Sequence, residues 1–268
     1  MFDAHTHLDC PDCDADRAEV LHRSREAGIS GWIIAGTEPS RWRRTADVAH
    51  EIGALFCLGV HPWRVAQPYI GTDDQVFSQI SELTPDGVGE TGLDFATARD
   101  DAGRELQNRW FRAHLSYARE RSLPMVIHAV RCYPQLLKTL RTEGIPYGGM
   151  IHSWSGPPEL IVEFVSMGLS ISFSERSVLG GSQKIRASLR ATPLQQLLLE
   201  TDCPNYTHGI RTEPVNLLPA IQAVAAIKLI TREVLCEQLT HNVMRIWLPQ
   251  RALTPPQRND EERRPALA

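Results

Sequence analysis

The sequence predicts a single (β/α)8 barrel of the TIM type followed by a short C-terminal tail. Three observations lead there. The chain has 268 residues, a normal length for one α/β barrel. Eight short apolar runs alternate with amphipathic stretches, the pattern of buried parallel strands covered by helices. No glycine-rich phosphate loop follows the first run, which removes the main reason to choose an open doubly wound sheet.

The first run is residues 1–5 (MFDAH), the second 31–35 (GWIIA) and the third 55–60 (LFCLGV). A weak fourth is 87–90 (GVGE), the fifth is 124–128 (PMVIH) and the sixth 149–152 (GMIH). Residues 169–173 (LSISF) and 197–200 (LLLE) complete the eight. Helices are predicted over 15–27, 40–52, 74–83, 102–121, 134–143 and 158–167, then a short 184–189, then 215–227 and 231–247. Gly28 closes the first as a C′ residue, and several others end at Gly or Pro. After Leu248 the chain reads PQRALTPPQRNDEERRPALA, rich in Pro and charge. The barrel is therefore expected over 1–248 and a disordered tail over 249–268.

At 42% hydrophobic and 22% charged residues, the composition is that of a soluble globular protein able to bury its own core. It lacks an apolar run long enough to span a membrane and a basic-then-apolar leader, so the cytoplasm is the expected compartment. The net charge of −4 excludes extensive tracking of a duplex by many phosphate contacts. Any nucleic-acid chemistry must rest on a local site in which bound cations supply the positive charge. Of the six cysteines (Cys10, Cys13, Cys57, Cys132, Cys203 and Cys236), only Cys10 and Cys13 stand close together, and no second CxxC completes a zinc site. They read as free thiols.

The chemistry lies where polar residues interrupt the apolar pattern. His5 and His7 end the first strand, Glu90 the fourth, His128 the fifth and His152 the sixth, and Asp202 follows the eighth. In a barrel those ends share one face, where active sites lie. Residues two apart on a strand point the same way, so His5 and His7 can hold one cation, with Glu90 and Asp202 offsetting its charge. His128 and His152 can hold a second, with Glu90 between the two. Mixed imidazole and carboxylate ligands suit Zn²⁺, Mn²⁺, Fe²⁺ or Co²⁺ (Mg²⁺ is also admitted) more than Ca²⁺. An open coordination position lets a bound water ionise near neutral pH.

DAHTHLD, GVHPW, GVGETGLDF, PMVIH, GMIHSWSG and LLLETDCP stand in the order and spacing of the TatD family of metal-dependent hydrolases, which the chain resembles over residues 1–248. TEPVNLLPAI and HNVMRIW also look like that family's C-terminal pattern. The resemblance implies an amidohydrolase-like barrel and a deoxyribonuclease acting on single strands, often from the 3′ end. It implies that His5, His7, Glu90 and Asp202 form one metal site, and Glu90, His128 and His152 the second. It also implies that His61 faces the substrate near the phosphate. Arg211 stands where the family places a basic residue before its Glu-Pro, a candidate for binding a phosphate oxygen bidentately, with a plain surface Arg as the other reading. Trp154, where the family usually has Phe, is a candidate for stacking on a base, with packing of its own loop as the plainer reading.

The chain departs from the family after the fifth strand, where Val130 occupies the usual Arg position and Arg131 lies one residue later. Residues 174–184 are also unlike the common pattern. Three readings follow. The first is metal-dependent phosphodiester hydrolysis with Asp202 as general base, Glu90 as shared ligand and DNA as substrate. The second keeps the metals but cleaves a small amide or ester, an option that Val130 raises. The third is a non-enzymatic assembly component, which the complete ligand set opposes.

Overall fold

The computed structural model describes residues 1–68, 70–145, 147–207 and 209–253. Its strands are β1 (Phe2–Thr6), β2 (Gly31–Gly36), β3 (Leu55–Leu58), β4 (Gly87–Asp94), β5 (Met125–Val130), β6 (Gly149–Ile151), β7 (Leu169–Ser174) and β8 (Leu197–Glu200). Each pairs with the next in parallel, in sequence order. The ring closes between β8 and β1. Thr6 bridges Cys203 in parallel, the Asp202 N–H donates to the His5 carbonyl at 3.0 Å, and the His7 N–H donates to the Cys203 carbonyl at 2.6 Å. The buried Asp3 carboxylate accepts from the Thr201 N–H at 2.9 Å and from the Thr201 hydroxyl. The eight-stranded barrel predicted from the alternating runs is the fold observed.

The helices that cover it are α1 (Arg17–Glu26), α2 (Trp42–Ile52), α3 (Asp73–Leu83), α4 (Asp101–Arg121), α5 (Tyr133–Glu143) and α6 (Ile161–Ser166). They are followed by α7 (Glu175–Gly180), α8 (Gln183–Ala191), α9 (Leu217–Lys228) and α10 (Arg232–Leu253). Local chemistry sets several starts. Thr72 and Gln75 form a capping box at α3, and the Asp100 carboxylate accepts the Gly103 N–H at 2.8 Å at α4. Two features escaped the sequence reading: α7, and a short hairpin of β9 (Tyr206–Thr207) and β10 (Ile210–Arg211). The last helix also continues through Leu253, past the expected start of the tail at Pro249. The rest of that tail lies outside the described residues. Among those described, no single helix is long and apolar enough to cross a membrane, and the six cysteines are free.

Strand parity divides the core. Trp32, Ile34, Phe56, Leu58, Ile127, Ile151, Leu197 and Leu199 pack outward in the larger cluster, which includes residues of the covering helices. Ile33, Cys57, Val126, Met150 and Leu198 alternate with them and join Ala4 and Leu55 in a separate inner cluster. Val243, Ile246 and Trp247 of α10 complete this inner layer. Two residues further along the same faces stand Ala35, His128, His152 and Glu200. The barrel interior thus changes from apolar to ionisable within one strand repeat.

Candidate metal centre

The strand ends deliver their side chains to one place. Glu90 is the hub, and it is only 2% exposed. Its Oε2 lies 3.4 Å from His5 Nε2 and 3.6 Å from His7 Nε2. Its Oε1 lies 2.7 Å from His128 Nδ1, 3.1 Å from His152 Nε2 and 3.1 Å from His61 Nε2. Asp202 faces the first pair, with Oδ1 3.6 Å from His5 Nε2 and 3.3 Å from His7 Nε2. Candidate ligand atoms come within 4.8 Å of one another in three groups: His5 with Glu90 and His152, His5 with His7 and Asp202, and His61 with Glu90 and His128.

Glycine makes the hub possible. A Cβ on Gly89 (φ +139°) would stand 2.3 Å from the Val126 carbonyl oxygen, and one on Gly92 (φ +147°) 2.1 Å from that of His128. Only glycine lets β4 lie this close to β5, and the register shifts between Val88 and Thr91 as Glu90 turns inward. Asp202 also takes a left-handed backbone conformation (φ 57°). There the Asn205 amide donates to both its carbonyl and its Oδ2, each at 3.1 Å. Such conformations persist where the surroundings over-determine them, as at functional sites.

A second set of contacts orients the imidazoles. His7 Nδ1 donates to the Ala35 carbonyl at 2.8 Å, which turns Nε2 toward Asp202. His152 Nδ1 donates to Glu200 Oε1 at 2.9 Å, and Glu200 also accepts the Ser153 N–H and the Ser172 hydroxyl. His128 Nε2 reaches Asp94 Oδ2 at 3.4 Å, which leaves Nδ1 to Glu90. Partners of this kind fix the nitrogen offered to a metal. His61 is held differently. Its Nδ1 accepts the Trp63 backbone N–H at 3.1 Å, so in the neutral ring Nε2 carries the proton. That makes His61 a hydrogen-bond donor toward the centre rather than a metal ligand. His5 Nδ1 is buried with no partner among the described residues.

Burial opposes charge on every member of the cluster. It prevails at His5 and His61, whose pKa values are pushed down. At His7 the Asp202 carboxylate outweighs it and holds the pKa up at about 9. Asp94 and Glu90 raise His128 against the same cost, as Glu200 and Glu90 raise His152. Burial would lift Glu90, but the imidazoles of His61, His152 and His128 drive it well below the usual carboxylate range. A buried carboxylate flanked by the convergent nitrogens of His5, His7, His128 and His152 fits divalent cations. The His7 and Asp202 side chains, about 25% and 24% exposed, form the open edge.

A cavity of about 290 Å³ opens over this centre, lined by His61, Trp63, Arg41, Arg64, Cys10 and Asn205 as well as the ionisable cluster. The structure brings the six expected ligand residues and His61 together here. It places the other two expected substrate contacts elsewhere. Trp154 is fully buried, donates from Nε1 to Ser188 Oγ at 3.2 Å and packs on Tyr133 and Phe164. It is a packing residue and presents no face to a base. Arg211 donates to the Asp12 carbonyl and to Asp16 Oδ2, both at 2.5 Å, and lines a different cavity beside Glu175 and Arg176. Its fork is engaged with protein acceptors rather than presented over the centre. Asp94, Glu200 and Trp63 were missed as site residues. The signal for Glu200 was its place at the end of the eighth run, level with the ligands.

Residues 2–248 match the family model described as TatD related DNase. The chain is 26% identical over 257 residues to the metal-dependent hydrolase YabD of Bacillus subtilis, covering 92% of this chain and 98% of that one. It is 28% identical over 265 residues to the 3′-5′ ssDNA/RNA exonuclease TatD of Pantoea ananatis, covering 92% and 99%. Among solved structures it is similar to the TatD homologue YjjV of Escherichia coli, with a TM-score of 0.83 and 25% identity over 92% of this chain and 98% of that one. The chain belongs to the TatD-related DNase family of metal-dependent hydrolases.

Proposed function

We propose that this family member hydrolyses phosphodiester bonds of DNA, acting from the 3′ end of single strands or at strand ends, with two divalent cations held at the mouth of the barrel. The supporting observation is the division of Glu90. One carboxylate oxygen faces His5 and His7, and the other faces His61, His128 and His152. In this reading His5, His7, Glu90 and Asp202 hold one cation, and Glu90, His128 and His152 the other. The donor set suits Zn²⁺, Mn²⁺, Fe²⁺ or Co²⁺, with Mg²⁺ also admitted, over Ca²⁺. Bound there, the cations supply a water that ionises near neutral pH and positive charge for the scissile phosphate.

The protein's own groups do the rest. Burial would raise Asp202, but the hydrogen bond from His7 and the nearby imidazoles bring it down to about 2. It is a carboxylate at neutral pH, at the open edge, able to accept the proton that the attacking water gives up. His61 Nε2–H lies 3.1 Å from Glu90 Oε1, and in this reading it donates instead to a non-bridging oxygen of the substrate. Arg41 and Arg64 line the cavity, each 3.8 Å from a carboxylate oxygen, of Asp9 and of Glu38 respectively. In this reading these long pairs yield to a phosphodiester, which favours that substrate over a neutral amide or ester. The cavity's size, at the small end of ligand sites, suits one terminal nucleotide and agrees with an end-directed reaction on a chain of net charge −4.

The test is incubation of Mn²⁺-loaded protein with strands labelled at the 5′ end, with and without chelator, beside a panel of acyl-amino and ester substrates. The expected outcome is stepwise shortening from the 3′ end that chelator stops, with no acyl turnover. Absence of any phosphodiester cleavage, or an Asp202→Asn variant as active as the parent, would overturn the reading.

A further inference from the structure

We infer that Trp63 is a stacking platform for the terminal nucleobase of the substrate strand; this rests on the phosphodiester reading above. An exposed aromatic is ordinary by itself, and Trp63 is 57% exposed. Its anchoring and its position are what matter. The indole N–H donates to Asp94 Oδ2 at 2.5 Å. Asp94 is pinned in turn, its Oδ1 accepting the Ala96 and Thr97 N–H groups at 2.8 and 3.1 Å. The ring meets His61 edge to face, with centroids 4.7 Å apart at 73°. The turn below is tied down by the Trp63 N–H on His61 Nδ1 and by Gln107 Nε2 on the Pro62 carbonyl at 3.3 Å. The indole is thus fixed before any ligand arrives, so stacking on it sacrifices little side-chain freedom.

Its place is equally specific. Among the described residues that line the metal cavity, Trp63 is the one Trp, Tyr or Phe, and Arg64 follows it on the same wall. His61, the proposed donor to the phosphate, is its ring neighbour, so one nucleotide can set its phosphate at His61 and its base on the indole. Pro204 and Asn205, which also line the cavity, bring no aromatic ring to it. Stacking is tolerant of base identity because every base has a π face. Trp63 would therefore strengthen binding of any 3′-terminal nucleotide while reading little sequence.

The experiment compares two strands, one ending in an ordinary nucleotide and one in an abasic tetrahydrofuran residue, on wild type, Trp63→Phe and Trp63→Ala. Wild type should favour the ordinary strand through KM by roughly 5- to 150-fold. Trp63→Ala should collapse that preference toward one, and Trp63→Phe should retain most of it. In parallel, tryptophan emission of the Mg²⁺-loaded protein is titrated with a strand whose terminal linkage is a slowly cleaved phosphorothioate. Quenching is expected in wild type and its loss in Trp63→Phe. An equal KM penalty on both strands in Trp63→Ala, or quenching unchanged in Trp63→Phe, overturns the inference. If wild type cuts neither strand, the phosphodiester reading fails and the emission titration decides Trp63 separately.

Discussion

The two inner layers of the barrel are built on the same faces of the same strands, yet they obey opposite rules. In the lower layer Ile33, Cys57, Val126, Met150 and Leu198 meet Trp247 from α10, and stability comes from dry packing. In the upper layer the next inward residues include His128, His152 and Glu200, which Glu90 joins, all buried and all ionisable. Such groups are costly to bury unless they are paired or hold a cation. This barrel separates folding from chemistry by one strand repeat. The apolar layer secures the strands, and the hydrogen-bonded layer above tolerates its charges because those strands are already fixed.

Altering one residue in each layer tests that separation. Glu90→Gln should abolish tight cation uptake in titration calorimetry and lower kcat/KM by more than about 10³-fold. A variant that keeps both would remove the hub. Trp247→Ala should cost about 3–5 kcal/mol of stability in chemical denaturation, while the folded fraction keeps its kcat. Loss of kcat in folded protein would show that the layers are not separate.

A smaller effect concerns the wall between layer and helix. Buried His114 is pushed down to about 4. It donates to the Trp110 carbonyl at 2.7 Å and accepts the Val60 N–H at 3.1 Å, beside His61. The ring is neutral in the fold but takes a proton near pH 6.5 when unfolded. Its contribution, about 3 kcal/mol, is therefore present above that pH and lost as pH falls toward 4. Urea unfolding across this range should show the gap between wild type and His114→Gln closing with acid; parallel curves would count against it. The smallest effect expected is at Glu200, which accepts from His152 Nδ1 while His152 Nε2 faces Glu90. Glu200→Gln should weaken cation affinity about 10- to 100-fold, and an unchanged isotherm would demote it to packing.

Much of this was legible in the sequence, for physical reasons. Seven of the strands read cleanly because a short apolar run between turn residues is too brief for a helix and too apolar for a solvated loop. The fourth looked weak because Gly89 and Gly92, which let it approach β5, also dilute its apolar signal, and it runs on to Asp94. The α7 helix is six residues long and ends against Gly180 and Gly181, too short to show a period. The proposed ligands stood out because ionisable residues ended apolar strands. Their supports did not, since a carboxylate at a strand end does not reveal whether it meets a cation or an imidazole. Trp154 and Arg211 show the same limit: sequence supplies an indole or a guanidinium but not whether the surrounding loops bury or pair it. The stacking surface the sequence sought at Trp154 is available at Trp63.

The seam between β1 and β8 has a consequence for synthesis. Asp202, which faces His5 and His7 across the seam, is added about 195 residues after them. At about 5–20 residues per second, the nascent chain carries two adjacent imidazoles without that carboxylate for roughly 10 to 40 s. A divalent cation captured in that interval would meet only part of the proposed donor set, so in that reading the order of translation delays tight loading until the ring is shut.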